Sequence, residues 1–245
     1  MKNKLSIKLT KSDIKKQIIL PTTLFPQLAE ICGIHIGDGH LGFRPNKSEY
    51  LIQCTGNLKN DKPYYDEHIK KLWKETFNLN VKFRERKDNT YELRVYSKSI
   101  ALFFNKFLEL PFGNKSRTIS IPNVIKETCK KNVSEEMISC IRGIMDTDFY
   151  LTKDRNYLEL GAWFASRDLI LDLQQYLEQM KFLPKIRLDV TYYNSSSKKY
   201  LVRHQLRIRK KEDLKRWFDT IGTNNPKIYK RYQEFTSLRP GGVDD

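Results

Sequence analysis

The chain has 245 residues, of which 39% are hydrophobic and 12% aromatic, enough apolar material for one large folded domain or two small ones, which excludes a disordered chain. Forty-five Lys and Arg against 29 Asp and Glu give a net charge of +16, an excess typical of proteins that bind an anionic polymer such as nucleic acid. No apolar run approaches the ~20 residues that a membrane span needs, and the amino terminus lacks an apolar block of secretory type, so we expect a soluble, intracellular protein with no membrane partner.

The first half of the chain is predicted to hold a helix, a Gly-rich turn, a strand, a second helix, two strands and a closing helix. Apolar residues at helical spacing indicate the helices, and alternation of apolar and polar residues indicates the strands. In chain order, these elements are Phe25 to Asp38, Gly39 to Gly42, Tyr50 to Thr55, Pro63 to Phe77, Asn80 to Arg86, Tyr91 to Tyr96 and Lys98 to Leu110.

The second half repeats this order. Its predicted helices and strands are Ser134 to Asp148, Tyr150 to Thr152, Tyr157 to Phe164, Arg167 to Lys181, Lys185 to Tyr193, Tyr200 to Arg209 and Lys211 to Ile221. A last short helix is predicted from Asn225-Pro226 to Phe235, because Pro is well tolerated at the first position of a helix. The last predicted strand of each half carries a similar tripeptide, Leu93-Arg94-Val95 in the first half and Leu206-Arg207-Ile208 in the second.

We interpret both halves as one αββαββα unit, which predicts an α+β fold with two pseudo-symmetric repeats and antiparallel sheets that form a saddle. The repeats cover residues 25–110 and 134–238, with a linker at 111–133 that contains Pro and Gly. An amino-terminal extension, 1–24, and a flexible tail, 239–245, complete the chain, and both ends are expected to be loose. Duplex DNA is itself locally two-fold, so a monomer with two such repeats suits it without a protein partner.

Four predicted strands place basic side chains on one face and apolar side chains on the other. From Lys185 to Tyr193 we expect unbroken alternation, with Thr191 on the basic face and Val190 on the apolar face. The alternative is an ordinary solvated sheet, but such faces usually mix Glu with Lys, whereas Arg and Gln dominate here and are the residue types that read base edges. The candidate DNA-binding residues on these faces and nearby loops are Arg44, Lys47, Lys82, Arg84, Arg86, Arg94, Tyr96, Lys153, Lys185, Arg187, Arg203, Gln205, Arg207 and Arg209.

Four cysteines and four histidines are scattered along the chain, and no two cysteines have the C-x-x-C spacing of a structural zinc site. We therefore expect reduced, mostly buried thiols.

Two nine-residue stretches, residues 31–39 and 141–149, share a Gly at the third position, a small residue at the seventh and an Asp at the eighth. Gly33 and Gly37 are four residues apart, as are Gly143 and Thr147, so each helix would carry a smooth stripe that allows close packing against the other. Both helices would then end in a carboxylate, Asp38 or Asp148, beside the pseudo-two-fold axis. Carboxylates without histidine suit Mg²⁺ better than Zn²⁺.

Three neighbouring side chains are given structural roles. Asp146 is predicted to point away from Asp148, Glu30 to lie on the surface, and His35 to be a core or interface residue.

These stretches, ICGIHIGDG and IRGIMDTDF, resemble the LAGLIDADG motif, and their spacing of about 110 residues resembles that of single-chain LAGLIDADG homing endonucleases over about residues 25–235. The runs Ser48-Glu49-Tyr50 and Tyr91-Glu92-Leu93-Arg94-Val95 are similar to archaeal intron-encoded members. The resemblance implies a monomeric, site-specific endonuclease of intron homing type that binds a long, roughly two-fold duplex site. It implies cleavage of one phosphodiester on each strand across the minor groove, leaving short 3′ overhangs.

The resemblance also implies roles for individual residues. Asp38 and Asp148 would be catalytic, and together with the carbonyls of Gly37 and Thr147 they would bind Mg²⁺, for which Ca²⁺ or Mn²⁺ can substitute in crystals. Candidates for support of the catalytic core are Gln53, Asn57, Lys98, Arg167, Lys210 and Lys211.

One position departs from the motif, since Phe149 stands where its final Gly is expected to favour a positive-φ turn and a close approach to DNA. The alternative function is a non-cleaving nucleic-acid-binding protein of the same fold, either an RNA maturase or a transcription regulator.

Overall fold

Residues 7–154 and 157–237 are described by the structure, which is a computed structural model. The predicted flexible tail, 239–245, and the first six residues of the amino-terminal extension lie outside these ranges. Among the described residues, no helix combines the length and the apolar character that a membrane span requires.

The first half begins with a short helix and then forms the first repeat. Its elements are α1 (Lys11–Lys15), α2 (Pro26–Asp38), β1 (Gly39–Arg44), β2 (Glu49–Asn57), α3 (Leu58–Pro63), α4 (Lys70–Phe77), β3 (Phe83–Glu85), β4 (Thr90–Tyr96) and α5 (Lys98–Lys106). A π-helical turn, Tyr64–Ile69, joins α3 to α4 without a break, and a short 3₁₀ turn, Pro45–Lys47, joins β1 to β2.

The linker contributes α6 (Asn123–Lys126), and the second repeat follows. Its elements are α7 (Glu135–Asp148), β5 (Tyr150–Asp154), β6 (Tyr157–Phe164), α8 (Arg167–Gln179), β7 (Lys185–Asn194), β8 (Lys199–Ile208), α9 (Lys211–Thr220) and α10 (Pro226–Ser237). Ser134 caps α7 by accepting the Met137 N–H at 3.1 Å, and Ser166 caps α8 in the same way.

Each repeat contains one open, four-stranded antiparallel sheet. The strand orders are β1-β2-β4-β3 and β5-β6-β8-β7, which are the same order in the two repeats. The registers also correspond, because Gln53 lies opposite Arg94 in the first sheet and Gly161 lies opposite Arg207 in the second. The predicted α+β fold of two αββαββα repeats is confirmed.

Two predicted elements in the first repeat were wrong. The Gly-rich turn at Gly39 to Gly42 is part of strand β1, since Gly39 has extended dihedral angles and the strand pairs with β2 as far as Arg44. The helix predicted to begin at Pro63 begins at Leu58, because the Asn57 side chain accepts the N–H groups of Lys59 and Asn60 at 3.1 and 3.0 Å. Pro63 thus lies inside the helix, just before the π-helical turn. Because proline removes a backbone hydrogen bond, helices commonly depart from regular α-helical geometry at such a residue.

The amino-terminal extension is not loose over its described residues. The Asp13 carboxylate is buried and accepts hydrogen bonds from the hydroxyls of Thr10 and Ser99, each at 2.7 Å. Ile18 is also buried, and the Ile19 N–H donates to the Phe77 carbonyl at 3.1 Å. Although its composition is polar and Lys-rich, this segment therefore packs on helices α4 and α5 of the first repeat.

The linker also packs on the body of the protein. Ile119, Ile121 and Ile125 are buried, and the Ser166 hydroxyl donates to the Ile119 carbonyl at 2.5 Å. The core continues from one repeat to the other, and three of the four cysteines lie in it.

Candidate functional site

Helices α2 and α7 pack so closely that their backbones are in contact, and glycines make this possible. A Cβ atom on Gly33 would lie 2.1 Å from the Cys140 carbonyl oxygen, and one on Gly143 would lie 2.4 Å from the Glu30 carbonyl oxygen. A Cβ on Gly37 would lie 2.0 Å from Thr147 Oγ1. The four small residues singled out in the sequence therefore line one helix contact, which brings the two carboxyl-terminal ends of the helices together.

Asp38 and Asp148 end these two helices side by side. A Cβ atom on Gly37 would lie 2.8 Å from Asp148 Oδ2, so the Asp148 carboxylate reaches the last turn of α2. Burial and the charges of Asp148 and Asp61 raise the pKa of the Asp38 carboxyl well above its usual value. Burial also raises the pKa of the Asp148 carboxyl, to about 6. Two carboxylates in this setting gain from a nearby cation.

Lys115, in the linker, supplies one positive charge to this site. Its ammonium group donates hydrogen bonds to the carbonyl oxygens of Ile36 and Gly37 at 2.5 and 2.7 Å. Burial lowers the pKa of the Lys115 ammonium, and the charges of Asp148 and Asp38 oppose that shift. The sequence pattern did not single out Lys115, since the linker has no periodicity and only tertiary folding brings this residue to the helix ends.

Lys227, at the start of α10, supplies a second positive charge from the opposite repeat. Its ammonium group lies 2.6 Å from Asp61 Oδ1 on α3, and its charge opposes the rise in the pKa of Asp38. Lys227 and Asp61 also escaped the sequence analysis, because the contact joins residues that are 166 positions apart.

The donor groups at the helix ends fit a hard divalent cation. Within residues 7–154 and 157–237, no three His, Cys, Asp or Glu side chains come together as a metal cluster. A metal ion here would therefore be held by Asp38, Asp148 and the backbone carbonyls that end the helices, an all-oxygen donor set suited to Mg²⁺, Mn²⁺ or Ca²⁺. The Lys115 ammonium on the Gly37 carbonyl shows that this backbone oxygen already attracts a cation.

A buried polar network lies along the same two helices, farther from the carboxylates. Glu30 is 4% exposed, so its predicted surface location was wrong; its carboxylate contacts His68 at 2.6 Å and accepts from Asn224 Nδ2 at 2.7 Å. Asp146, as predicted, faces away from the helix ends. Its carboxylate instead accepts hydrogen bonds from Thr223 Oγ1 and the Asn224 N–H. Both acids thus fasten the segment before α10 to the paired helices.

Phe149 and its counterpart Gly39 both adopt extended dihedral angles, with φ of −82° and −84°. The expectation that this position needs a positive-φ glycine was wrong. Gly39 is required for a different reason, since a Cβ there would lie 2.3 Å from Nδ1 of the buried His35 ring. Phe149 instead packs in the part of the core that belongs to the second repeat, with its ring centroid 5.7 Å from that of Trp217.

Of the six residues predicted to support the catalytic core, four contact side chains or backbone elsewhere and two are exposed. Gln53 donates to Glu92 at 2.6 Å, Asn57 caps α3, and Lys98 lies over the Tyr50 ring. Arg167 pairs with Asp189 at 3.2 Å, and Lys210 and Lys211 are exposed at the start of α9. The charges of Asp148, Asp61, Lys115 and Lys227 act on the Asp38 carboxyl, and the charge of Lys115 also acts on the Asp148 carboxyl.

The face of the first sheet opposite its core is strongly polar. Strand pairing places Arg44, Gln53, Arg84, Arg94 and Tyr96 on it. At its centre is Glu92, which is 1% exposed and lies 2.8 Å from the Arg94 guanidinium. Lys82 and Arg86 flank β3, and Lys47 lies in the turn after β1.

The second sheet has a comparable basic face. Lys185, Arg187, Arg203, Gln205 and Arg207 lie on it by strand pairing. A buried acid, Glu159, pairs with Arg207 at 3.8 Å and with Arg209. The sequence analysis overlooked Glu159.

One candidate lies off this face, and one prediction for it was wrong. Lys153 is exposed, but it pairs with Leu158 and shares the opposite face with Leu151. In β7 the alternation breaks between Arg187 and Val190, where Asp189 has a φ of 55°. This β-bulge moves Val190 and Tyr192 to the basic face and Thr191 to the other.

The bulge builds a stacked cluster on the second face. The Arg203 guanidinium lies between two aromatic rings, 3.9 Å from the centroid of Trp163 and 4.3 Å from that of Tyr192. Such stacking holds an arginine side chain without using its hydrogen-bond donors.

Comparison with known proteins agrees with this architecture. Residues 135–222, which make up most of the second repeat, match the family model described as a LAGLIDADG-like domain. The described chain as a whole has the fold of single-chain LAGLIDADG homing endonucleases, and the predicted resemblance is confirmed.

Three solved structures illustrate the match. I-DmoI in complex with DNA and Ca is 21% identical and matches 85% of this chain and 97% of its own, with a TM-score of 0.54. The LAGLIDADG meganuclease I-AabMI bound to uncleaved DNA is 14% identical over 88% of this chain and 90% of its own, with a TM-score of 0.52. The homing endonuclease I-WcaI bound to its DNA recognition sequence is 16% identical over 96% of this chain and 94% of its own, with a TM-score of 0.51.

Curated relatives match at the level of sequence. The tRNA-splicing ligase RtcB of Methanopyrus kandleri is 27% identical over 80% of this chain but only 20% of its own length. The replication factor C small subunit of Methanocaldococcus jannaschii is 27% identical over 85% of this chain and 10% of its own length. The chain thus spans a tenth to a fifth of these relatives.

Proposed function

We propose that this protein is a site-specific DNA endonuclease that hydrolyses one phosphodiester on each strand of a long duplex site. The observation that carries the proposal is the pairing of Asp38 and Asp148 at the ends of two glycine-packed helices, between two sheets with Arg-rich faces. One carboxylate would serve each strand, and the products would have short 3′ overhangs.

The two sheets would hold the duplex. A two-stranded antiparallel ribbon fits the major groove, and Arg and Gln side chains are suited to hydrogen bonds with guanine and adenine edges. The buried carboxylates of Glu92 and Glu159 pair with the equivalent residues Arg94 and Arg207, at 2.8 and 3.8 Å. Exposed lysines such as Lys47 would contact phosphates and position the duplex without reading its sequence.

Asp38 and Asp148, with the Gly37 and Thr147 carbonyls, would hold divalent cations, Mg²⁺ in the first instance. When bound, these cations supply the Lewis acidity that activates the attacking water and stabilises charge on the phosphate. Burial raises the pKa values of both carboxyls, and the charges of Asp148 and Asp61 add to the rise for Asp38, which supports a role for added positive charge at this site. Lys115 and Lys227 would offset part of the charge of the phosphates that approach the site.

The comparisons support this proposal in two ways. The structures with the same fold include DNA complexes with Mn, Ca or Mg. The two curated relatives have unrelated names, a ligase and a replication factor, yet share this one segment with the chain. A segment common to such different proteins is best explained as a portable module with an activity of its own.

The test begins with a pool of random duplexes, from which the protein selects the ones that it retains at low salt. The selected site is cloned into a supercoiled plasmid, which is incubated with the protein and Mg²⁺ or Mn²⁺. We expect linear product with wild type, and retention without linear product for Asp38→Asn and for Asp148→Asn. Full cleavage by either variant would contradict the assignment of one carboxylate to each strand.

The remaining outcomes separate the alternatives. Site-specific retention without cutting by wild type under all metal conditions would indicate the non-cleaving alternative, a maturase or a transcription regulator. Absence of any duplex retention would contradict the DNA-facing sheets.

A further inference from the structure

We propose that a groove in the second repeat binds single-stranded nucleic acid, at a site separate from the sheet faces that would hold the duplex. The groove lies between the β5–β6 hairpin, the first half of α9 and the carboxyl-terminal half of α10, and its volume is about 540 Å³. An unpaired strand would place its bases against aromatic side chains and its phosphates against lysines. This binding is additional to the proposed cleavage of duplex DNA and does not depend on it.

Strand pairing places the groove off the basic face of the second sheet. Lys153 and Leu158 lie opposite each other near the end of the β5–β6 hairpin, on the face that the basic side chains do not occupy. Tyr157 begins β6, and Arg209 follows the end of β8. The groove is therefore formed at strand ends and on the side of the sheet where α9 and α10 pack, so a duplex on the basic face would leave it accessible.

The charges of the groove select an anionic ligand. Four cationic side chains line it, those of Lys153, Arg209, Lys211 and Lys215, and no Asp or Glu is among the described residues that do so. Arg209 pairs with Glu159, and Lys215 pairs with Asp219 at 2.7 Å. Lys153 and Lys211 form no ion pair within the part of the chain that the structure describes. Cations gathered in one concave site repel each other, and a bound anion relieves that repulsion.

The remaining surface of the groove is apolar and aromatic. Two leucines line it together with the rings of Tyr157, Tyr232 and Phe235. Tyr232 stacks on Phe218 with ring centroids 3.8 Å apart, which supports its position in the groove. Tyr157 is 67% exposed, so its ring is accessible to a ligand. Aromatic rings bind nucleobases by stacking, whatever the base, because every base has a π-face.

Cations beside aromatic rings favour an unpaired strand over other anions. A duplex keeps its bases stacked inside and offers mainly its backbone, which lysines alone can bind. Free phosphate would leave the rings without a partner. An unpaired strand suits both parts of the groove, because its bases are free to stack while its phosphates keep their charge. The volume lies within the range of about 300–1,000 Å³ that is typical of small-ligand sites, enough for roughly one or two nucleotides.

The groove has no evident means of distinguishing RNA from DNA. Proteins tell the two apart through the ribose 2′-hydroxyl. The Thr236 hydroxyl, which lines the groove, donates to carbonyls of its own helix, those of Tyr232 and Gln233 at 2.9 and 3.1 Å. Base faces and phosphates are common to both kinds of strand. We therefore expect oligo(dT) and oligo(U) to bind with affinities within about threefold of each other.

The test measures strand binding while duplex occupies the sheets. A fluorescein-labelled oligo(dT) of about twelve nucleotides is titrated with the protein in EDTA, alone and after saturation with unlabelled selected duplex. Fluorescence anisotropy reports binding, and the affinity for the strand should change by less than about threefold when duplex is present. Complete displacement of the strand by the duplex would overturn the proposal. A protein that binds the strand but no duplex would contradict the proposed function and leave the groove assignment standing.

Tyr157→Ala removes one ring from the groove and should weaken strand binding by at least about fivefold, with duplex binding unchanged. Tyr200→Ala is the matched control, because Tyr200 is 73% exposed near the end of the β7–β8 hairpin and does not line the groove. Both side chains are exposed, so neither change should unfold the protein, which circular dichroism checks. Equal effects of the two variants on the strand, or an equal loss of duplex binding in Tyr157→Ala, would overturn the proposal.

Lys215→Gln tests the charge of the groove. If Lys215 contacts a phosphate, the slope of log affinity for the strand against log salt should become less steep by about 0.7. Lys71→Gln is the control, because Lys71 on α4 also pairs with an acid four residues later, Glu75, but lies outside the groove. An unchanged slope in Lys215→Gln, or the same change in Lys71→Gln, would contradict the phosphate contact.

Poly-L-glutamate separates nucleic acid from other polyanions. It carries negative charge without bases, so it should compete with oligo(dT) much less well than unlabelled oligo(dT) does. Equal competition would show that the groove attracts any polyanion, and would overturn the role of the aromatic rings. An affinity for oligo(U) more than about tenfold above that for oligo(dT) would contradict recognition through bases and phosphates alone.

Discussion

The two repeats share strand order, register and the motif helix, but they differ in the side chains that surround each shared feature. His35 folds over Gly39 in the first repeat, whereas in the second the equivalent Met145 accepts the Trp217 N–H at 3.0 Å and leaves room for Phe149. Arg94 is held by an acid two residues away on its own strand, whereas its equivalent Arg207 is held by Glu159 on the neighbouring strand. The two repeats thus share a backbone arrangement but differ in the side-chain contacts around it.

This contrast separates what the fold requires from what each half-site requires. The recurring helix glycines, Gly33 and Gly143, are required by the packing of the two helices, whereas the recurring terminal residues, Asp38 and Asp148, belong to the candidate site. Features that differ, such as the bulge in β7, are confined to one repeat. The first three predictions therefore test equivalent positions in the two repeats, and the last tests a feature of the second repeat alone.

The largest effect is expected at the helix contact. In Gly33→Ala and Gly143→Ala the new methyl would meet backbone carbonyl oxygens at 2.1 and 2.4 Å, which cannot move without separating the helices. Each should lower the free energy of unfolding by about 3 kcal/mol or more, measured by chemical denaturation.

Two further glycines make the comparison sharper. Gly37→Ala meets mainly the Thr147 side chain and should cost less than either of them. Gly42→Ala, whose closest neighbour is the end of the His40 side chain at 3.2 Å, is the control and should change stability little. Equal losses in Gly42→Ala and Gly33→Ala would contradict the assigned contact.

The second effect concerns the two carboxylates. Burial raises the pKa of Asp148 from 3.8 to about 6, so the folded protein binds this proton more tightly than the unfolded chain. Stability from this group is fully present below about pH 4 and is lost as the pH rises through about 6. Asp148→Asn should therefore stabilise the metal-free protein above pH 7 by up to about 3 kcal/mol, and have no such effect below pH 4.

Thermal unfolding across this pH range checks the prediction, and Asp38→Asn should behave in the same sense. Asp88, exposed in the turn before β4, has a pKa lowered by its hydrogen bond with Thr90, so Asp88→Asn should bring no gain. A stabilisation of Asp148→Asn that is independent of pH would contradict the electrostatic cause.

The residues of the candidate site differ in whether a sequence pattern can predict them. Asp38 and Asp148 were found because both follow a Gly at fixed helical spacing, and the pattern occurs twice. Glu30 was misplaced on the surface because its partners His68 and Asn224 are 38 and 194 positions away and leave no local signal. Lys115 was missed for the same reason.

The strand faces show a similar limit. Alternation correctly assigned Arg94 and Arg207, because both strands are regular there. It failed after Leu188, because a bulge depends on a single residue, Asp189, with positive φ, and a non-glycine residue gives little warning of that conformation. Periodicity therefore holds only as far as the backbone stays regular.

The third effect concerns base recognition by the equivalent arginines. If Arg94 and Arg207 each contact a guanine, then Arg94→Ala and Arg207→Ala should each cost ~1–3 kcal/mol in binding and relax the preference at one base pair. Binding-site selection on each variant checks this, and the two relaxed positions should lie in opposite halves of the site. Lys47→Ala, in the turn after β1, should instead weaken all sequences alike. An unchanged selected motif in both arginine variants would mean that the DNA lies elsewhere on the protein.

The smallest effect is expected at the stacked Arg203, whose equivalent position in the first repeat is occupied by Thr90. The bulge brings Tyr192 against the Arg203 guanidinium, so Tyr192→Leu removes one of its two aromatic neighbours. Cation–π contacts at such partly exposed positions are worth about 0.5–1 kcal/mol, which corresponds to a two- to fivefold loss of affinity for the selected duplex. Thr191→Ala is the matched control, because Thr191 pairs with Val202 on the opposite face and should leave affinity unchanged. If Thr191→Ala weakened binding and Tyr192→Leu did not, the strand would present its unbroken alternation to the DNA, and the bulge would not shape the second face.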